Sequence, residues 1–124
     1  AQPWNGAGGE RPGVWCEDTC RRAARTRRKV IVLAHHPVYP ASNHCEWNSA
    51  ALLQVVERNR NLVAWINGHN HAGAYGVHDE VPFITLKGMV ETKDTNAFAV
   101  LHLHPDRFEL VGHGREPSRD CRFR

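Results

Sequence analysis

The sequence lacks the features that mark membrane, secreted and strongly charged proteins. Within its 124 residues, no apolar stretch approaches the roughly 20 residues needed to span a bilayer, and no signal-peptide pattern opens the chain. The net charge is only +3, which gives little general attraction for nucleic acid. We therefore expect a cytoplasmic protein without a membrane partner. The chain does not begin with Met, so we expect a processed, tagged or truncated product.

The four cysteines lack the spacing of a metal knuckle. Cys16 and Cys20 lie one turn apart on a predicted helix, where a disulfide would be distorted, and no C-x-x-C pair is present. We expect reduced thiols, as in cytosolic proteins, and a disulfide from Cys45 stays an alternative. The sequence also contains no convincing triad for covalent catalysis.

Basic residues are concentrated in the run RRAARTRRK at residues 21–29. Such a run is either an anion-binding patch, for example for nucleic acid, or the solvated end of a helix whose dipole favours cations. No aromatic residue interleaves the run, so we favour the solvated helix end and expect no nucleic-acid partner.

Hydrophobic periodicity predicts one α/β domain over residues 1–124. Continuous apolar runs at Val30–Ala34 and 61–67 predict strands that are covered on both faces. Each follows a predicted helix, at about 14–28 and 49–60, and the second helix, capped by Asn48 or Ser49, presents Ala50, Leu53 and Val56 to the core. The remaining segments are predicted as loops at 1–13 and 68–76 and as strands at 81–88, 96–104 and 107–112.

Histidines follow both buried strands. His35 and His36 end the first strand, and His69 and His71 follow the second. Strands joined through one helix normally lie parallel, so all four side chains are expected at one edge of the sheet, where open α/β sheets form ligand sites. Imidazole nitrogens bind divalent transition metals well. The sequence therefore predicts a metal site at this edge.

Another H-x-H pair provides a contrast within the same chain. His102 and His104 lie inside a predicted strand, where alternation places them on one partly exposed face. They lack a glycine turn like that of Gly68 and Gly73, which we expect to bend the backbone tightly around an ion. Three further histidines have no partner at ligand spacing and are interpreted as surface residues: His44, His78 and His113.

The two histidine motifs resemble those of calcineurin-like metallophosphoesterases. VIVLAHHPVYP followed by NGHNH is similar to the last two metal-binding motifs of that superfamily, and the finer resemblance is to manganese-dependent ADP-ribose/CDP-alcohol diphosphatases. The stretches that carry the finer resemblance are WNGAGGERPGVWCED, HHPVYP, EWN, GHNHAGAYG, ITLKGMVET, NAF, LHPDR and GHGREPSR. The resemblance thus extends over nearly the whole chain.

The resemblance implies a site with two divalent metal ions, manganese, iron or zinc. It places His35 and His69 on one ion, His71 on the other, and His36 as a neighbour that does not bind. The superfamily's N-terminal motifs, Asp-x-His, Gly-Asp and Gly-Asn-His, do not occur here. The catalytic residues are therefore expected in a missing N-terminal half.

The implied fold is the C-terminal half of a four-layer α/β/β/α sandwich. This half would contribute one mixed sheet with helices on its outer face, and the inner face would be bare. A bare apolar face of that size is not tolerated on a soluble monomer. We therefore expect the missing N-terminal half or a homo-oligomer to cover it.

The implied function is hydrolysis of a nucleoside-diphosphate-linked substrate, such as ADP-ribose or a CDP-alcohol, by metal-activated water. Arg115 and Arg119 would then either contact the anionic diphosphate or be exposed tail residues. The parent protein would be a metal-dependent phosphoric diester or diphosphate hydrolase, and the isolated chain would be poorly active. The alternative is a non-catalytic metallophosphoesterase-like binding or scaffold module.

Overall fold

The computed structural model describes residues 10–124, with side chains from residue 13 onwards. Residues 1–9 of the predicted N-terminal loop lie outside the described residues. Within the described range the helices and strands are α1 (Glu10–Arg25), β1 (Val30–Ala34), α2 (Ser49–Arg58), β2 (Leu62–Asn67), β3 (Ala74–His78), β4 (Val81–Thr85), β5 (Ala97–Leu103), β6 (Arg107–Gly114) and β7 (Arg119–Arg122). Neither of these helices is long and apolar enough to cross a membrane.

The described strands form two sheets. The first has the order β1-β2-β4-β3, in which β1, β2 and β4 are parallel and β3 is antiparallel to β4. The second is the antiparallel meander β5-β6-β7. The predicted α/β class with a mixed sheet and helices is confirmed. The prediction of one sheet is wrong, because the meander forms a separate sheet that packs against the first.

The two faces of the four-stranded sheet have different covers. Trp65 and Phe83 pack with residues of α1 and α2, whereas Ile66 and Ile84 pack against Phe108 and its neighbours in the second sheet. The predicted bare inner face is therefore wrong over β2 and β4, because the chain's own C-terminal strands cover it. β1, which is an edge strand of the described sheet, remains partly exposed.

The first helix begins earlier than the sequence indicated. It runs over Glu10–Arg25, so Gly13 and the preceding proline lie in its first turn. Proline is tolerated there because the first N–H groups of a helix have no partner within it. The helix also ends earlier, and Arg27 beyond it has a φ of 54°.

The basic run on α1 carries local ion pairs. Arg21 lies 2.8 Å from the carboxylate of Glu17, and Arg22 lies 2.6 Å from that of Asp18. Both pairs join residues four apart on an exposed helix surface, where they contribute a few tenths of a kcal/mol each. This arrangement agrees with a solvated helix end.

The apolar face of α2 differs from the predicted one. Its buried residues are Leu52, Val55 and Val56, whereas Ala50 is exposed and Leu53 is half-buried.

Two short strands, β3 and β7, were not predicted from the sequence. β3 pairs with β4 across Asp79–Glu80, both with positive φ, and this two-residue turn lacks the Asn-Gly signature that usually predicts such a hairpin.

The pairing of β1 with β2 contains a bulge. Val30 pairs with Leu62, whereas Ile31 pairs with Ala64, so Val63 is an additional residue in β2. Beyond the bulge the register is regular to the end of the strands, and the N–H of Gly68 donates to the carbonyl of His35 at 3.1 Å. The bulge therefore sets which residues of the two strand ends lie side by side.

Candidate metal centre

Three of the described histidines meet at the carboxyl ends of β1 and β2. Donor atoms of His35, His36 and His69 all lie within 4.8 Å of one another. Nδ1 of His69 is 3.3 Å from Nε2 of His35, and the ring centroids of His36 and His69 are 4.3 Å apart. Three imidazoles this close have the donor chemistry to hold a divalent transition-metal ion.

The backbone at His69 helps to place its ring. Its φ of 65° is left-handed, which costs a non-glycine residue about 1 kcal/mol. Gly68, expected to supply the tight bend, is not among the positive-φ glycines of the described residues, whereas Gly73 has a φ of 76°. The turn is closed by Asn70, whose carbonyl accepts the N–H of Gly73 at 2.9 Å. Local strain therefore lies on the candidate ligand itself.

His36 has a carboxylate on one side. Its Nδ1 lies 3.5 Å from Glu46. Burial lowers the pKa of His36, and the nearby His69 lowers it further, against the opposing effect of Glu46. The neutral imidazole, which is the metal-binding form, is therefore favoured. The donor nitrogen of His36 lies in the same 4.8 Å group as those of His35 and His69. The resemblance nevertheless implies that His36 does not bind the metal.

His44 lies beside this group. Its ring centroid is 5.5 Å from that of His69, and the residue is half-buried. His44 is thus less exposed than a free surface side chain, but it is not a member of the group of three. No ligand spacing in the sequence pointed to this contact, because it joins two loops that are far apart along the chain.

His71 lies outside the group of three. Its Nδ1 contacts the carboxylate of Glu91, which follows β4. The residues described by the structure contain no second group of three metal-binding side chains. The assignment of His71 to another metal ion therefore stays a prediction.

The other histidines have different neighbours. Nε2 of His78 lies 2.8 Å from Glu57, and the ring of His113 stacks on Phe98 at 4.7 Å. His102 is an exposed residue of β5. The contrast drawn from the sequence between His102 and the strand-end histidines therefore agrees with where the structure places them.

The two candidate substrate-binding arginines have different environments. The guanidinium of Arg115 donates to the carbonyl of Gly88 at 2.5 Å. Arg119 lies over the ring of Tyr75 at 4.1 Å and lines a polar cleft of about 220 Å³ together with Lys87. Arg115 thus holds the main chain, and Arg119 is the better placed to meet a ligand.

Comparisons with known proteins identify several relatives that carry one and the same name. No protein-family model matches the chain. Proteins named manganese-dependent ADP-ribose/CDP-alcohol diphosphatase are 31% identical in Bos taurus, over 89% of this chain, and 31% identical in Homo sapiens, over 98%. The Oryza sativa subsp. japonica protein of that name is 30% identical over 97% of the chain. The chain is a relative of these diphosphatases.

A solved structure supports the relationship at the level of the fold. A dimetal phosphatase from Danio rerio aligns with 97% of this chain at a TM-score of 0.89 and 29% identity. Its description and the manganese dependence of the curated relatives agree with the expected two divalent metal ions. The chain spans only 34–39% of the length of the three named relatives and 40% of the Danio rerio chain.

Sequence reasoning missed two carboxylates beside the histidines. Glu46 and Glu91 belong to the EWN and ITLKGMVET stretches, which supported the resemblance without suggesting a role. Neither has a spacing that points to His36 or His71, because each contact joins separate segments of the chain.

Proposed function

We propose that this chain forms part of a dinuclear metal-dependent phosphohydrolase. Its substrate is a nucleoside-diphosphate-linked molecule such as ADP-ribose or a CDP-alcohol. The observation that carries the proposal is the convergence of His35, His36 and His69 at two adjacent parallel strand ends. The names of the relatives support the metal dependence and the substrate class. Residues 1–124 are the C-terminal half of the catalytic domain.

In this proposal the chain holds one metal ion through His35 and His69 and contacts a second through His71. The ions would activate water and polarise a phosphoryl oxygen for in-line attack. The histidines contribute neutral nitrogen donors, and Arg119 approaches the diphosphate from its position over Tyr75. Arg115 acts with it by fixing the main chain at Gly88. The residues that complete catalysis come from outside this chain.

The partner is the polypeptide that makes up the remaining length of the relatives. It would cover the exposed edge of β1 and complete the metal centre. The location proposed is the cytoplasm. Its support is that all four cysteines are free and buried, as is usual where disulfides do not form.

Metal titration tests the ligand assignment directly. We expect the chain to bind manganese or zinc weakly in calorimetry, because this chain supplies only part of the ligands. His69→Ala should abolish binding, whereas the matched change His102→Ala should leave it intact. His35→Ala should weaken binding at least tenfold and more than His36→Ala. Equal losses from His69→Ala and His102→Ala would refute the assignment.

Turnover distinguishes the proposal from its alternative. The isolated chain should hydrolyse ADP-ribose or an aryl phosphodiester poorly even at saturating metal, since misplacing one ion costs orders of magnitude in rate. Adding the N-terminal part of a relative, which has no counterpart in this chain, should raise the rate sharply. His71→Ala should remove that gain. Activity that stays at background in the assembled protein would instead favour the non-catalytic scaffold module. That module is suggested by the single histidine group among the described residues.

A further inference from the structure

The surroundings of His71 are built around one of its ring nitrogens. Nδ1 contacts the carboxylate of Glu91, and the two side chains are 58% and 41% exposed. An ion pair this open to solvent contributes little to folding stability. The contact therefore suggests a role in orienting the ring rather than in holding the fold together.

The segment that follows β4 is shaped to permit this contact. The N–H of Gly88 donates to the carbonyl of His71 at 3.0 Å. A Cβ on Gly88 would lie 2.6 Å from Cγ of His71 and 3.0 Å from Cγ of Glu91, so a side chain at this position would push the pair apart. Arg115 fixes the same glycine from its other side through the Gly88 carbonyl.

The contact dictates the tautomer of a neutral imidazole. A carboxylate accepts a hydrogen bond, so the Nδ1 beside Glu91 must carry the proton and Nε2 must carry the lone pair. Histidines that bind metals commonly have a carboxylate in this position, which fixes the ring and its basicity. The contact of Glu57 with His78 is through Nε2, so that pair favours the opposite tautomer and serves as an internal control.

We propose that Glu91 is a positioning residue that fixes the Nδ1–H tautomer of His71 and directs its Nε2 lone pair towards a divalent metal ion. The metal-directed part of this inference rests on the proposed function. The tautomer is a property of the chain alone, so it can be measured without metal and without turnover.

Long-range proton–nitrogen NMR of the metal-free chain tests the first part. At a pH where the imidazoles are neutral, His71 should give the Nδ1–H pattern and His78 the Nε2–H pattern. Glu91→Ala should shift His71 to the Nε2–H form that prevails in free histidine, and Glu91→Gln, whose amide oxygen still accepts, should restore Nδ1–H. Glu57→Ala should leave His71 unchanged. An Nε2–H pattern for His71 in the unaltered chain, or no change in Glu91→Ala, overturns the proposal.

Zinc titration with the same resonances tests the second part. The zinc affinity measured from the His71 resonances should fall 10- to 100-fold in Glu91→Ala. Glu57→Ala is the control and should leave that affinity unchanged. Equal affinity in Glu91→Ala and the unaltered chain would refute the metal-directed role. If zinc perturbs none of the strand-end histidines, the proposed function loses its support, and the tautomer experiment still decides what Glu91 does.

Discussion

Arg124 brings a guanidinium into a fully enclosed position. Its side chain is 0% exposed, and it donates to the carbonyls of Val56 at 2.6 Å and Asn59 at 2.8 Å. It also contacts the carboxylate of Asp79 and donates to the carbonyl of Leu62 at 3.2 Å. Burial lowers the pKa of Arg124 and Asp79 opposes that effect, so the group stays charged at neutral pH. One side chain thus joins the end of α2, the start of β2 and the β3–β4 turn.

Removing this side chain should be costly. Arg124→Ala should lower the free energy of unfolding by about 2–4 kcal/mol, because several carbonyls and one carboxylate lose their donor. Urea unfolding followed by circular dichroism measures the difference. The control is Arg122→Ala, whose guanidinium is 81% exposed and lies 3.4 Å from Asp106, and which should change stability by less than about 0.5 kcal/mol. Similar losses in both variants would show that the enclosed contacts of Arg124 do not stabilise the fold.

At the scale of helices and strands, hydrophobic periodicity in the sequence predicted the positions of the two strands that lead to the histidines. The continuous apolar runs place β1 and β2 correctly. The predicted cover on both faces holds for β2 but is wrong for β1, because β1 is an edge strand and its Leu33 is 75% exposed. The convergence of His35 and His69 followed from the parallel arrangement of those strands. The partners of His36 and His71 could not be predicted, because Glu46 and Glu91 reach them through loops whose paths depend on tertiary contacts.

Gly112 of β6 lies very close to the main chain that follows the strand. A Cβ on Gly112 would lie 2.1 Å from the carbonyl oxygen of Glu116, and that main-chain atom cannot move aside as a flexible side chain would. Gly112→Ala should therefore destabilise the chain by about 1–3 kcal/mol and loosen the loop before β7. Thermal unfolding and hydrogen exchange of the loop amides measure both effects.

Gly68 provides the matched control for this substitution. A Cβ there would meet nothing within 4 Å, so Gly68→Ala should be close to neutral for stability. If Gly68→Ala destabilised the chain as much as Gly112→Ala, the close approach to Glu116 would not be the cause of the loss at Gly112.

On the scale of the whole molecule, the exposed edge at β1 is where another polypeptide would bind. Leu33 is 75% exposed and Trp15 is 65% exposed. An apolar cleft of about 190 Å³ lies beside them, between β1 and the helices, and reaches His36. The second sheet covers the neighbouring strands but leaves this edge open. The proposed partner thus needs to cover an edge, not an entire face.

In the absence of that partner, a second copy should occupy the same edge. We expect the isolated chain to be a dimer or larger at micromolar concentration in size-exclusion chromatography with light scattering. Leu33→Lys should give a monomer, because a charge on an open strand edge opposes pairing. Val77→Lys, at a 50% exposed position on β3 at the opposite edge, should associate as the unaltered chain does. A monomeric unaltered chain would mean that the second sheet alone is sufficient cover.

The bulge at Val63, near the beginning of β2, affects how the residues at the far end of the strand are placed. Because the additional residue shifts every later pairing by one, it decides that Ala34 lies opposite Asn67 and that His35 reaches Gly68. A deletion of one residue between this bulge and Asn67 would leave all the histidines in the sequence, and it would exchange the faces that the two strand ends present to each other. For a protein engineer or a geneticist, the length of β2 is therefore as important to the candidate metal centre as the identity of the histidines beside it.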